Sequence, residues 1–288
     1  MGSIALDEVE ISSSREYPKL TENTIREPPV DVSQAHYDYS TIYKILSSTF
    51  VSTISFVVTD EDGEPSPFSL PMTAVAGRYD PRNPICEDDG SEEQYIREQE
   101  SFGEGPFDVY LHGNSAMMLS RMTKSKGAMK VVISSTKATV DGVVLHFAPN
   151  GHSLNYRSCV IHGDAEPVVS DEEKRYAMHL LTNHMVRRRW SSVNEVAPEA
   201  MKKVQVIKVV VRSASAKIRA TNINGLEKAG LGTRDDVWTG AIPLYEVLGE
   251  PVQSGYCPER PMQKELVEWK DRRNEEERSY AEEAAKPK

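Results

Sequence analysis

The sequence predicts a mainly β protein whose strands run antiparallel and whose helices lie outside the sheet. Short apolar stretches alternate with small polar residues, as they do in strands that bury one face. Turn residues separate these stretches closely, and no strand–helix–strand alternation runs through the chain, which argues against a parallel sheet. About six or seven strands with two or three helices fit a small closed or split barrel.

A polar arm, a helix and two strands make up the start of the chain. Residues 1–35 show no lasting period and are predicted to form an N-terminal arm. "YDYSTIYKILSS" places apolar residues at helical spacing behind a cap at Asp38 or Ser40. "VSTISFVV" alternates as a strand does, and "PSPFSLPMTAVA" follows as a second strand whose prolines favour an edge or an irregular end.

An acidic insert, residues 76–106, interrupts the strand pattern. Between Glu87 and Glu104 there are eight acidic residues and a single base, Arg97. We predict a solvated loop with a short helix near Tyr95, and a lid over a pocket is the alternative.

Strand signals resume after the insert. "FDVYLH" is followed by a short helix around "AMMLSRM", then by "AMKVVISST", "TVDGVVLHFA" and the stretch 151–169, which together predict an antiparallel meander. Ser170 and Glu173 have the spacing of a capping box. "VQVIKVVVRSASAKIRA" and "VWTGAIPLY" predict the last two strands of a domain over 36–252, and the charged tail 253–288 is expected to be a solvated helix or disorder.

Composition narrows the functional classes. A formal net charge of -10 argues against nucleic acid as a partner, because proteins that bind it cluster Lys and Arg. No apolar run approaches the ~18 residues of a membrane span, and the acidic N-terminus is unlike a signal peptide. Cys86, Cys159 and Cys257 have neither metal nor redox spacing, so a reducing compartment and a cytoplasmic location are expected.

The usual catalytic motifs of hydrolases, metalloproteases, kinases and dinucleotide-binding enzymes are not found. His179 and His184, five residues apart on a helix, cannot ligate one ion, and no metal is expected. Arg beside hydroxyl groups, with cations on a second strand, suits a phosphorylated or carboxylated ligand, although each residue alone also fits a structural role. The polar residues at strand ends are His112, His152, Ser153, Asn155, Tyr156, Arg157, Ser158, Lys217, Arg219 and Trp238.

The order of these segments resembles the flavin-nucleotide-binding branch of the pyridoxamine 5'-phosphate oxidase-like family, which includes the nitroimidazole-resistance proteins. The likeness covers roughly residues 36 to 252 in unchanged order. It is carried by "IYKILSSTFVSTISF", Pro71 at the end of the second strand, "YLHG" (110–113), "HSLNYRS" (152–158) with Gly163, "SAKIR" (215–219) and "WTGAIP" (238–243).

This resemblance implies a six-stranded antiparallel split β-barrel with flanking helices that forms a homodimer and binds FMN in clefts between the subunits. It also explains a strand, 151–163, whose first residues are polar on both faces: the strand begins at a ligand cleft and becomes core farther on. The residues implied in cofactor binding are Asn155, Tyr156, Arg157, Ser158, Lys217, Arg219, Trp238 and Pro71.

The sequence departs from the family pattern at the cleft. After "YLHG" the relatives usually carry a Ser-Arg or similar pair for the flavin phosphate, whereas this chain has Ala116, Met117 and Met118. A second histidine that tends to precede "HS" is replaced by Gly151. A fold converted to different chemistry would show such changes.

Three functions therefore stay open. The first is an FMN-dependent oxidoreductase acting on a small organic substrate in a cleft at the dimer interface. The second is a flavin-independent enzyme that carries out proton transfer, dehydration or cyclisation of an organic intermediate, as in natural-product biosynthesis. The third is a ligand-binding protein without turnover. The residues predicted to act as acid, base or anion stabiliser are Tyr156, Arg157, His152 and His112.

Overall fold

The structure is a computed structural model that describes residues 15–18, 34–59, 62–82, 91–113, 117–136, 140–223, 233–256, 258 and 260–287. The strands within these residues are β1 (Ala35–His36), β2 (Ser52–Thr59), β3 (Pro65–Met72), β4 (Ala74–Gly77), β5 (Asp108–Gly113), β6 (Met129–Thr136), β7 (Gly142–Leu145), β8 (Ser153–Pro167), β9 (Gln205–Arg219) and β10 (Gly240–Pro243). The α-helices are α1 (Tyr39–Ser48), α2 (Glu92–Ser101), α3 (Met118–Lys126), α4 (Asp171–Met185), α5 (Pro198–Lys203) and α6 (Lys264–Ala284).

All pairings in the sheet are antiparallel, and its main order is β3-β2-β6-β8-β9-β5-β4. β1 pairs with β9, and β7 pairs with both β8 and β10. The predicted class, a mainly β fold with flanking helices, is confirmed. The described part of the chain contains ten strands rather than the expected six, and these strands do not close into a continuous barrel.

The predicted meander is wrong. β6 lies between β2 and β8, whereas β5 lies between β4 and β9. The reason is the length of β8 and β9, each of 15 residues, which is about 50 Å of strand. Successive segments of β8 pair with β7 and β6, so neighbours in sequence share one long partner. The predicted last strand, "VWTGAIPLY", is also shortened to the four residues of β10.

Local patterns predicted the starts of two helices, α1 and α4. Asp38 caps α1 by accepting a hydrogen bond of 2.8 Å from the Thr41 backbone N–H. The short helix expected in the acidic insert is α2. Ser170 caps α4 through the Glu173 N–H, but the Glu173 carboxylate accepts from the Tyr110 hydroxyl at 2.7 Å and does not complete a capping box. α5 was not predicted.

β3 forms one end of the main sheet order, as its prolines predicted. It pairs with β2 along its full length. Pro65, Pro67 and Pro71 occupy alternate positions of the strand and have no N–H group to donate. They are tolerated because an edge strand needs donors on one side only.

Of the two expectations for the C-terminal tail, a solvated helix or disorder, the structure shows a helix, but one that is not solvated on every side. α6 buries Glu277, Ala281 and Ala284 against the body of the protein. Nearer the start of the helix, Arg273 donates to the Ser48 carbonyl at 3.2 Å, and its guanidinium lies 4.2 Å from the centroid of the Phe50 ring. The charged composition concealed this packing, because the buried face of α6 itself carries charged residues.

Candidate functional site

The polar start of β8 exposes different residues on its two faces. Residues directly opposite each other on antiparallel strands share a face, and Tyr156 pairs with Arg219 while Ser158 pairs with Lys217. We call this side, which is half-exposed, the outer face. Asn155 and the alternate residues after it point to the inner face.

On the inner face, Arg157 is held by two carboxylates and a ring. Its guanidinium donates to Asp141 through two bonds, from Nε at 3.1 Å and from Nη2 at 2.8 Å. Nη2 also lies 3.3 Å from Glu277 of α6, and the guanidinium carbon lies 3.6 Å from the centroid of the Tyr280 ring. Since these partners occupy the guanidinium, Arg157 has the structural role that the sequence left as an alternative.

Asn155 connects the inner face to both α6 and β9. Its Nδ2 donates to the carbonyl of Ala284 at 3.1 Å. Its Oδ1 accepts from Arg219 Nη1 at 3.0 Å and from the Thr221 backbone N–H at 3.2 Å. Arg219 Nη1 also donates to the Leu154 carbonyl at 3.2 Å, so the arginine is fixed at the end of β9.

The outer face brings four of the predicted residues together, Tyr156, Ser158, Lys217 and Arg219, which we call the outer-face patch. The Lys217 ammonium lies 5.7 Å from the centroid of the Tyr156 ring. Neither cation forms an ion pair with a described carboxylate. Partial burial lowers the pKa of the Arg219 guanidinium, against the opposing effect of Tyr156, but arginine still stays charged. The patch therefore places two positive charges, a hydroxyl and a phenol at neighbouring positions of the two strands.

Farther along the same side of the sheet there is an open groove of about 840 Å³. It is lined by residues of β2, β3, β6, β8 and β9, among them Val57, His162 and Ser213. Val57 is 55% exposed, which is unusual for a valine on the face of a central sheet. A groove lined by small polar and apolar side chains is typical of a surface that a ligand or another protein covers.

The structure does not bring His112 to the patch within one chain. His112 is exposed on β5 and pairs with Val206, eleven residues along β9 from Lys217. That separation is about 36 Å at the usual rise of a strand. His112 and Tyr156 could act together only across two subunits.

Pro71 lies on the outer side, in the row that contains Val160. In this row, residues on neighbouring strands lie directly opposite each other: Pro71 opposite Thr53, Thr53 opposite Ser134, and Ser134 opposite Val160. Pro71 is therefore three strands, or about 14 Å, from Val160. Trp238, which precedes β10, is 63% exposed and therefore is not part of the core.

His152 is exposed, and its Nδ1 accepts a hydrogen bond of 2.9 Å from the backbone N–H of His146. Sequence reasoning missed His146, which is 8% exposed. A Cβ atom at Gly151 would lie 2.4 Å from the His146 ring. The His146 ring thus fills the space that a side chain at position 151 would need. Gly151, where the sequence departs from the family pattern, is the feature of the sequence that could have indicated this.

Met117 and Met118, which stand where relatives carry the phosphate-binding pair, pack against the main hydrophobic core. A Cβ atom at Gly113 would lie 2.4 Å from the Met117 sulfur. These side chains therefore belong to the packing of the fold, and any anion must be bound by other residues.

No helix among the described residues combines the length and apolarity that a membrane crossing requires. In that same part of the chain, His, Cys, Asp and Glu side chains do not gather in groups of three or more that could hold a metal ion.

The antiparallel sheet with its flanking helices is a fold of the split-barrel class. Residues 38–218, more than half of the chain, match the family model described as pyridoxamine 5'-phosphate oxidase. The chain belongs to this family, which confirms the resemblance found in the sequence. A search of curated proteins gave no match.

Two solved structures share the fold over most of the chain. The flavocytochrome Anf3 from Azotobacter vinelandii is similar at 20% identity and a TM-score of 0.58, over 82% of this chain and 92% of that one. The FAD and heme binding protein from Mycobacterium smegmatis is similar at 16% identity and a TM-score of 0.60, over 82% and 97%. At such identities the likeness concerns the fold.

Proposed function

We propose that this protein binds a flavin nucleotide on the outer face and acts as an FMN-dependent oxidoreductase on a small organic molecule. The observation that carries the proposal is the outer-face patch, where Lys217 and Arg219 lie beside Tyr156 and Ser158 without a carboxylate partner in the described chain. In a chain of net charge -10, two cations without such partners fit an anionic ligand.

The residues of the patch fit a phosphate monoester. The Lys217 ammonium supplies donors, the Ser158 hydroxyl directly opposite supplies another, and the Arg219 guanidinium retains donors beyond those given to Asn155 and Leu154. These groups replace the pair lost at Met117 and Met118. A bound flavin would supply the electron chemistry, while the protein orients the substrate and excludes water.

A homodimer is part of the proposal. The groove beside the patch is open, at about 840 Å³, and a second copy covering it would enclose a cofactor between the two sheets. His112 of one subunit, distant from its own patch, would then be available to the other. The names of the two similar structures, a flavocytochrome and an FAD and heme binding protein, support a flavin as the ligand class.

A second candidate is a flavin-free enzyme that uses Tyr156 for proton transfer. The observation in its favour is the packing of Met117 and Met118 into the core, which removes a phosphate contact typical of the relatives.

Fluorescence titration with FMN, FAD and riboflavin tests the proposal. FMN should bind about ten- to a hundred-fold more tightly than riboflavin, because hydrogen bonds to a charged phosphate contribute about 1.5–3 kcal/mol each. Lys217→Gln should remove most of this difference and leave riboflavin unaffected. Lys44→Gln is the matched control, since Lys44 is an exposed lysine on α1, outside the sheet and its groove.

Each result separates the candidates. Absence of binding by all three flavins would exclude the flavin enzyme and leave the flavin-free one. Equal losses in the two lysine variants would show that the phosphate lies away from the patch.

A further inference from the structure

A second group of cations lies between the end of α4 and the start of α6. Arg187, Arg188 and Arg189 follow α4, and Arg272 extends from α6; together we call them the arginine cluster. The four side chains line a groove of about 500 Å³. Four arginines around one groove are unexpected in a chain of net charge -10.

The carboxylates nearby do not neutralise the arginine cluster. Glu92 alone contacts two of its members, Arg187 and, at 3.5 Å, Arg188. Arg272 forms no ion pair with the described residues. Glu265 and Glu268 also line the groove, and Glu268 is paired with Lys264 at 3.4 Å. Within this groove four arginines thus face three glutamates, an excess of one positive charge.

Two donors of the arginine cluster lack acceptors. The Nε atoms of Arg187 and Arg188 are buried and find no hydrogen-bond partner in the described chain. Buried side-chain donors are rarely left in this condition in folded proteins. An anionic ligand with several oxygens in the groove would satisfy them.

The backbone at Arg188 is also unfavourable. Arg188 has a φ of 57°, the left-handed region that glycine normally occupies after a helix. A large side chain in this conformation is a site of local strain, and such strain is concentrated at ligand-binding positions.

Aromatic rings extend the groove. The Arg187 guanidinium lies 4.4 Å from the centroid of the Tyr95 ring. Arg187, Arg272 and Trp269 line both the groove and an adjoining cavity of about 210 Å³. Tyr95 and Trp269 line this cavity together with Glu98, Glu276 and Arg273, so a planar group that enters it would lie beside aromatic side chains.

The arginine cluster is distant from the outer-face patch. Val75 of β4 lines the adjoining cavity. Across the sheet, Val75 lies opposite Tyr110 of β5, and Tyr110 lies opposite Lys208 of β9. Lys208 precedes Lys217 by nine residues, which is about 30 Å of strand. The two cationic regions of one subunit cannot share one small anion.

We propose that the arginine cluster is a second binding site, for a phosphorylated small molecule whose phosphate occupies the groove and whose planar part enters the adjoining cavity. The site is independent of the proposed flavin chemistry.

Isothermal titration of the full chain with pyrophosphate tests the phosphate part. Arg272→Gln should weaken binding at least ten-fold. Arg278→Gln is the matched control, because Arg278 lies on the same helix, is exposed and carries the same charge; its affinity should equal that of the original protein. Arg188→Gly should weaken binding similarly while leaving the melting temperature unchanged or higher, since glycine accepts a positive φ.

Adenosine monophosphate tests the planar part and should bind more tightly than inorganic phosphate. The proposal is overturned if pyrophosphate gives no binding, if Arg272→Gln and Arg278→Gln bind it equally, or if the nucleoside adds nothing to phosphate. Loss of FMN binding in Arg272→Gln would also overturn it, because the cluster would then belong to the flavin site.

Discussion

Arg157 and Lys217 are both cations at the polar end of the central strands, but they lie on opposite sides of the sheet. Arg157 meets Asp141, Glu277 and the Tyr280 ring, and its side chain is 16% exposed. Lys217 meets the Tyr156 ring and has no carboxylate partner in the described chain. Polar residues at the start of a strand can therefore either stabilise the fold or bind a ligand. Which of the two they do depends on whether another element of the chain, such as α6, covers their face of the sheet.

α6 is that element for the inner face. The partner proposed above for the outer face is a ligand together with a second copy of the chain. Substitutions on the inner face should accordingly change the free energy of unfolding, whereas those on the outer face should change affinity.

The largest effect is expected for Arg157→Ala. Removing the guanidinium leaves Asp141 and Glu277 without their shared cation, and Asp141 is 2% exposed. Breaking a buried pair in this way costs about 3–5 kcal/mol. Urea unfolding measures the loss. Arg212→Ala, which breaks an exposed pair with Asp164, should cost less than about 1 kcal/mol, and equal costs would refute the contrast.

Asn155→Ala should have the next largest effect. It leaves the Ala284 carbonyl and the Thr221 N–H without a buried partner, which costs about 2–3 kcal/mol. Hydrogen exchange should also accelerate in the last turns of α6, because the bond to Ala284 holds them on the sheet. Unchanged exchange in α6 would mean that Asn155 does not anchor the helix.

Cys159, next on the inner face, makes stability depend on alkaline pH. Burial raises the pKa of its thiol from 9.0 to about 12. The unfolded thiol ionises first, so this contribution to stability is present below pH 9 and is lost as the pH rises from about 9 to about 12.

Between pH 8 and pH 10 the loss due to this thiol amounts to about 1 kcal/mol. The fall in the free energy of unfolding should be smaller by this amount in Cys159→Ala, which has no thiol to titrate. Identical pH profiles for the two proteins would place Cys159 in a solvated environment.

The smallest effect on folding is expected for Ser158→Ala on the outer face. Ser158 is only partly buried, so the free energy of unfolding should change by less than about 0.5 kcal/mol. The affinity for FMN should nevertheless fall if the patch binds its phosphate. A destabilisation above 1 kcal/mol would erase the difference between the two faces.

Local patterns predicted most of the longer strands, one of the two candidate caps of α1 and the edge position of β3, because each depends on a few neighbouring residues. The alternation of β8 also separated Tyr156 from Arg157. The alternation could not show which face of β8 is covered by α6, because the contact between Arg157 and Glu277 joins residues 120 positions apart in the sequence.

The docking of α6 escaped prediction for a related reason. Trp269, Tyr280, Ala281 and Ala284 have helical spacing, but Glu277 lies on the same buried face and interrupts the apolar stripe. The carboxylate is tolerated there because Arg157 neutralises it. The arginine cluster, in contrast, is visible in the sequence as "RRR", although its unsatisfied donors and positive φ are not.

The three alternate prolines of β3 have a consequence for the behaviour of the protein at high concentration. Backbone groups on every second residue of a strand point the same way, so Pro65, Pro67 and Pro71 share a direction with Ser69. Because β2 needs the donors of the other residues, a foreign strand approaching the free side would find one N–H where it needs four. The β3 edge of the sheet is thus a poor template for pairing with a strand of another molecule.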